Sequence, residues 1–390
     1  MPFSRRTNWN TEENDLSRAH RERRERGLPI ADLTASNPTR CGFGYEGILE
    51  SLSDPRSLDY DPQPKGLLAA RAAACAYYAE HDARVDAEQV VLTTSTSEAY
   101  SFLFRLLCDP GSEILVPQPS YPLFDFLADL DDVRIVPAPL VYDHGWQIDG
   151  EGFRRVVTPA TRAIMLVHPN NPTGHFTKAW EVEELGRLCR ASSLALIVDE
   201  VFLDYPFGGR AETFARGIAG VDVYVVSGLS KVAALPQMKA GWVVATGPHR
   251  KEAMTRLEVI ADTFLSMNAP VQWALPQWLA GREAIQTQIR ERVKANLAEL
   301  DGQLGRQGMI ERLEAEGGWY ATLRIPALQA DDRTVRELLD RGVWVHPGHF
   351  FGMAESGWLV LSLLGAEAEF RAGVTTIVEY LGTNQGGNKT

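Results

Sequence analysis

The sequence predicts an α/β fold, with a large domain on a mainly parallel, seven-stranded sheet and a smaller α+β domain. Three observations carry this. Between residues 90 and 245, short apolar runs alternate with longer helical patterns, as buried strands joined by crossover helices do. From about residue 275 that alternation gives way to a long amphipathic stretch and a few isolated apolar runs. The length of 390 residues also exceeds one domain of roughly 100–200 residues.

Residues 11–27 read as a polar helix, with Asn10 and Glu13 spaced as a capping box. Residues 30–45 carry Pro and Gly punctuation and read as loop. Seven strands follow: Val90–Thr94, Glu113–Pro117, Val133–Val136, Ala163–His168, Leu194–Asp199, Val223–Ser227 and Gly241–Ala245. Helices are expected at Ser97–Leu107, Lys178–Ala191 and Arg210–Gly217. Residues 281–307 read as one long amphipathic helix. Tyr320–Ile325, Val343–His346 and Leu359–Leu363 read as strands, and Thr334–Arg341 as a helix. The polar tail TNQGGNKT is expected to fray. These boundaries put a large domain at 46–275 and a small one at 1–45 plus 276–390.

Composition narrows the function classes. Apolar residues make up 45%, enough for a large core, which excludes a disordered chain. Lys and Arg number 39 against 51 Asp and Glu, a formal charge of −12. That balance argues against nucleic acid and anionic membrane surfaces as partners. No apolar run approaches the roughly 18 residues of a membrane span. Arg5-Arg6 is followed by no apolar stretch, so no export signal is read there. The four cysteines, Cys41, Cys75, Cys108 and Cys189, form no C-x-x-C pair and no zinc spacing. Inert thiols in a reducing cytoplasm are the expectation, and no metal is expected.

Ligands of such sheets bind at the carboxyl ends of the strands, and polar motifs cluster there. His168-Pro-Asn-Asn-Pro-Thr-Gly174 closes one predicted strand, Val198-Asp199-Glu200 the next, and Ser227-Gly-Leu-Ser-Lys231 a third. Asn171 and Asp199 are 28 positions apart, Asp199 and Lys231 are 32, and Lys231 and Lys239 are 8. Thr93-Thr-Ser-Thr-Ser-Glu98 joins a strand to a helix, where backbone amides favour an anion. Each motif alone has a plainer reading: an exposed lysine, a capping aspartate, an Asn-Asn-Pro turn.

In this order the motifs resemble those of the class I/II aminotransferases, pyridoxal-phosphate enzymes of fold type I, and the resemblance spans roughly residues 30–380. It implies that Lys231 is the Schiff-base lysine and general base, and that Asp199 pairs with the pyridine nitrogen. Asn171 would donate to the ring hydroxyl oxygen, and Tyr121 would stack on the ring. Thr94, Ser95, Thr96, Ser230 and Lys239 would hold the phosphate. Tyr60, in Tyr-x-Pro-x-x-x-Gly66, would reach the phosphate of a neighbouring subunit, which implies a homodimer with shared sites. The implied reaction moves an amino group from a small-molecule amino donor to a carbonyl acceptor. A lyase, decarboxylase or other biosynthetic enzyme of the same fold is the second reading. A DNA-binding regulator of this fold is the third, disfavoured because residues 1–45 hold no helix-turn-helix pair.

Three positions depart from the family's pattern. Phe202 replaces a tyrosine that donates to the cofactor oxygen, so the bound cofactor's visible band should titrate at higher pH than in typical members. Lys239 replaces an arginine, which keeps the charge but loses the bidentate fork. Val360, in Trp358-Leu-Val-Leu-Ser362, stands where an arginine usually clamps the substrate carboxylate. Arg40, in Ser36-Asn-Pro-Thr-Arg40, is the expected substitute cation, with Asn37 beside it on the substrate side. His346 and His349 lie in a segment that usually lines the same pocket.

Overall fold

In the computed structural model, which describes residues 3–383, the first helix is α1 (Asp15–Glu25), capped by the Asn14 side chain. It is shorter at both ends than predicted. Asn10 accepts from the Glu12 amide instead, and Glu13 pairs with Arg21. The segment read as loop holds a two-residue strand, β1 (Ala31–Asp32), and a 3-10 turn over Pro38–Arg40. Helix α2 (Leu68–Glu80) precedes the large sheet.

That sheet contains β2 (Val90–Thr93), β3 (Glu113–Gln118), β4 (Arg134–Tyr142), β5 (Trp146–Ile148), β6 (Thr161–Val167), β7 (Ala195–Asp199), β8 (Val223–Gly228) and β9 (Gly241–Thr246). Their order is β2-β9-β8-β7-β6-β3-β4-β5. The four pairings that join β8, β7, β6, β3 and β4 are parallel, whereas β9, β2 and β5 run antiparallel to their neighbours. Eight strands therefore replace the predicted seven. The strand predicted to end at Val136 runs on to Tyr142, and Pro137 and Pro139 lie where β4 pairs only with β3. Positive φ at His144 and Gly145 then folds β5 back on it.

The helices around this sheet are α3 (Thr96–Leu107), α4 (Phe124–Leu130), α5 (Gly150–Val156), α6 (Ala179–Ser192), the single turn α7 (Leu229–Val232), α8 (Arg250–Phe264) and α9 (Ala269–Ala280). The helix predicted at 210–217 is only a 3-10 turn, Phe214–Arg216. Thr213 and the Phe214 amide donate to the buried Glu200 carboxylate, and Gly217 leaves the turn at φ 76°. Those bonds hold the segment as a loop.

The remaining chain forms α10 (Glu283–Leu304), β10 (Glu311–Arg312), β11 (Tyr320–Arg324), α11 (Asp331–Asp340), β12 (Val343–Trp344), β13 (His346–Pro347), β14 (Trp358–Ser362) and α12 (Glu367–Thr383). An antiparallel sheet runs β10-β11-β14-β13, and β1 pairs in parallel with β12. The predicted strand Val343–His346 is split, because β12 pairs with β1 while β13 pairs with β14. The tail from residue 384 lies outside the described residues.

Period-two alternation explains why the central strands are apolar throughout. Leu196 and Val198 join the core on one sheet face, and Ile197 joins the core on the other. A third core lies among α1, α10–α12, β11 and β14, and it receives Val201, Phe202 and Tyr205 from the turn after β7. That insertion ties the end of β7 to the smaller sheet. All four cysteines are free, and burial raises the pKa of each.

Candidate active site

The parallel register brings the predicted motifs together. Val167 pairs with Asp199, and Asp199 with Val226, so the ends of β6, β7 and β8 lie side by side. Asp199 is buried, and one carboxylate oxygen accepts from the Val201 amide at 2.9 Å while the other accepts from the Tyr100 hydroxyl. Burial raises its pKa to about 6, against the opposing pull of those bonds and of Lys231. Lys231 follows β8 on α7. Burial lowers its pKa, and the nearby Asp199 charge works the other way. Its ammonium lies 5.4 Å from the Trp319 ring centre and 6.0 Å from that of Phe202. The Lys231 carbonyl accepts from the Tyr205 hydroxyl at 2.7 Å, which anchors the turn.

Two glycines set the neighbouring cradle. Gly241 pairs with both Thr93 and Gly228. A Cβ on Gly241 would stand 3.0 Å from the Ser95 carbonyl carbon and 3.1 Å from the Ser227 oxygen and Thr93 Oγ1. Only glycine lets the start of α3 approach the Lys231 turn this closely. Ser95 caps α3, accepting from the Glu98 amide, and Glu98 in turn accepts from the Thr94 amide at 2.7 Å. The first amides of α3 have no intrahelical partner. Thr94, Ser95, Thr96 and Ser230 are half-buried around this point, while Lys239 is exposed in a left-handed turn.

Tyr121 is half-buried beyond β3, edge-on to Phe124 at 5.5 Å, and its pKa is raised by burial and then by the Asp199 charge. Tyr320, on β11, is buried, and burial raises its pKa to about 12 against the pull of a hydrogen bond with Ser36. Asn37 is exposed and caps the 3-10 turn by accepting from Thr39. Arg40 is exposed, and its side chain makes no ion pair or hydrogen bond among the described residues. Tyr60 stands apart from the buried cluster, 83% exposed on an open cavity with Ser266 and Asn268. His349 pairs with Asp332 at the surface, whereas His346 is half-buried with its Nδ1 fully enclosed, and desolvation lowers its pKa to about 4. Val360 is fully buried in the middle of β14.

Sequence reasoning missed Tyr100, Tyr205, Trp319, Tyr320 and Ser227. Tyr100 left one signal, since it lies four residues after Thr96 on the same helix face. Ser227 lies within the quoted motif, four residues before Lys231, and the others are visible only when distant segments meet. Among the described residues, no group of three or more His, Cys, Asp and Glu is placed to hold a metal, and no helix is long and apolar enough to cross a membrane.

The donor set fits pyridoxal phosphate. A buried acid and a half-buried amine lie near one another at adjacent strand ends, beside a cradle of hydroxyls and amides. Asn171 Oδ1 and Ser227 Oγ are buried there without a partner, and native proteins seldom leave such atoms unpaired without a functional reason.

Comparison with known proteins agrees. The family model "Aminotransferase class I and II" matches residues 48–377. The chain is 30% identical to glutamate-pyruvate aminotransferase AlaA of Escherichia coli over 67% of its own length and 66% of that protein. It is 31% identical to arginine–pyruvate transaminase AruH of Pseudomonas aeruginosa, over 73% and 72% of the two chains. A solved Thermus thermophilus aspartate aminotransferase mutant superposes with a TM-score of 0.85 at 25% identity, over 98% of this chain and all of the other. The fold also matches an alanine aminotransferase from Pyrococcus furiosus, with a TM-score of 0.90 at 23% identity over 98% of this chain and 100% of that one. On its motifs, its site and these likenesses, the chain belongs to the class I and II aminotransferase family, whose cofactor is pyridoxal 5'-phosphate.

Proposed function

We propose that this protein is an aminotransferase that moves an amino group from an amino-acid or amine donor to a keto acid or other carbonyl acceptor. The placement of Lys231 near the buried Asp199 at adjacent strand ends carries the reading. Two relatives named for pyruvate support pyruvate as acceptor.

Bound pyridoxal phosphate supplies an aldehyde that condenses with amines and a ring that takes up the electrons of a broken Cα–H bond. Lys231 Nζ holds the cofactor, and its lowered pKa leaves a larger neutral fraction to take the donor's Cα proton as general base. Ionised Asp199 would hold the positive charge on the ring nitrogen, with Tyr100 and Val201 keeping the carboxylate in place. Tyr121 would stack on the ring and Asn171 would donate to its hydroxyl oxygen, while Thr94, Ser95, Thr96, Ser230 and Lys239 would bind the phosphate. Arg40, the unpaired cation of the Asn37 turn, meets the carboxylate of the keto-acid acceptor; Arg40→Ala is expected to raise the KM for pyruvate.

The same reading divides the chain into a large domain, 46–275, and a small one, 1–45 with 276–390. Pairing of β1 with β12 supports that grouping. It also makes the enzyme a homodimer with shared sites. The exposure of Tyr60, Leu58, Leu49 and Leu68 supports this, since large exposed apolar side chains mark contact surfaces. Four unpaired cysteines support a reducing, cytoplasmic setting.

The test is the purified holoenzyme with a donor panel. Pyridoxamine phosphate should form without acceptor, and alanine should form once pyruvate is added. Borohydride reduction should leave the cofactor's mass on the Lys231 peptide and not on Lys231→Ala. Release of carbon dioxide or ammonia without pyridoxamine phosphate would replace this reading with a lyase or decarboxylase.

A further inference from the structure

Val360 leaves the family's carboxylate position without a cation, and the residues beside it indicate what the pocket takes instead. In the small sheet Thr322 and His346 both lie directly opposite Val360, one on each side. Directly paired residues project to the same face, so the three side chains form one row. The next residues of the row are Tyr320 and Ser362. Tyr320 lies 6.4 Å from Phe202, whose ring is 6.0 Å from the Lys231 ammonium. The row therefore faces the catalytic cluster. Phe351 closes it, 5.7 Å from His346 and 6.3 Å from Tyr320.

Two atoms in this row are orphans. Thr322 is 2% exposed and its hydroxyl has no partner, and His346 Nδ1 is likewise buried and unpartnered. Such atoms cost stability unless a ligand or water meets them. Neither residue brings a positive charge to the row, because burial keeps the His346 imidazole neutral at physiological pH and Asp32 is the charged group acting on it. A carboxylate here would be a buried anion without a counter-ion, whereas a neutral polar group would satisfy both orphans.

We infer that His346 and Thr322 form a neutral hydrogen-bonding subsite that brackets Val360 and holds a hydroxyl, carbonyl or carboxamide of the amino donor, where a guanidinium would hold a carboxylate. This rests on the aminotransferase reading above. The two residues determine specificity; Lys231 and Asp199 do the chemistry.

The experiment pairs each L-amino acid with its amino alcohol and its amino amide, and reads pyridoxamine phosphate formed by the holoenzyme. A neutral member should exceed its acid by about tenfold in kcat/KM, the size expected of one or two lost hydrogen bonds. For the best donor, His346→Leu and Thr322→Val should each raise KM about tenfold and leave kcat within about threefold. His346→Gln, which keeps a neutral donor, should restore most of the loss. Val360→Arg should turn the preference toward the acids. A KM unmoved in both His346→Leu and Thr322→Val, or a wild-type preference for the acids, overturns the subsite. If no donor reacts, the aminotransferase reading has failed, and binding then decides the subsite separately. Isobutyramide should bind wild-type holoenzyme more tightly than isobutyrate by saturation-transfer NMR, and Thr322→Val should abolish the difference. Equal binding of the two analogues overturns the subsite.

Discussion

Replacing Tyr100 by phenylalanine probes how the fold keeps Asp199 ionised. The substitution deletes one hydroxyl and leaves the ring between Phe104 and Phe124, at 6.3 and 5.3 Å. Asp199 has two protein donors, the Tyr100 hydroxyl and the Val201 amide, and burial already lifts its pKa to about 6. A hydrogen bond to a charged group contributes about 1.5–3 kcal/mol, and about 1.4 kcal/mol corresponds to one pH unit. Loss of the hydroxyl should therefore raise the carboxyl pKa to about 7–8. Only the ionised acid holds a positively charged ring nitrogen, so cofactor affinity falls as pH drops through that value. At pH 7 the variant apoenzyme should bind pyridoxal phosphate about two- to tenfold more weakly than wild type, converging at high pH. The assay is a titration of apoenzyme with cofactor, read by tryptophan fluorescence, from pH 5.5 to 8.5. If the two pH profiles superimpose, Tyr100 does not sustain the Asp199 charge.

Two further predictions use other variants. Phe202→Tyr adds a phenol beside the Lys231 ammonium, and the bound cofactor's visible band should then titrate at lower pH than in wild type. An unmoved band would show that the phenol does not reach the cofactor. Glu200 is buried and its pKa is raised from 4.5 to about 8. The folded state thus binds this proton more tightly than the unfolded chain does. The resulting stability is fully present below about pH 4.5 and is lost as pH rises through about 8. Glu200→Gln removes this dependence, so denaturant melts at pH 5 and pH 8 should differ less in the variant, by on the order of a few kcal/mol. Parallel pH trends in both proteins would contradict the assignment.

Much of this site was legible before the structure, for a local reason. Asn171, Asp199 and Lys231 each sit where an apolar run stops, and a parallel sheet aligns the carboxyl ends of its strands. Strand placement was legible for the same reason, since a strand buried on both faces must be apolar throughout. Errors fell where local signals mislead. The strand read as ending at Val136 runs on through Pro137 and Pro139, a stretch of β4 paired only with β3. The stretch 210–217 looked helical, yet its backbone serves the Glu200 carboxylate.

The sequence alone determined the fold class, the cofactor's chemistry and three departures from the family pattern, because each is written in short motifs whose meaning is local. Only the tertiary structure decided which residues surround Asp199 and Val360. Tyr100 reaches Asp199 from a helix 99 residues away in sequence. Thr322 and His346 meet across Val360 through strand pairing, not proximity along the chain. Burial then sets the charge states, bringing Asp199 to about 6 and His346 to about 4. Desolvation depends on everything packed around a group, and no stretch of sequence contains that information.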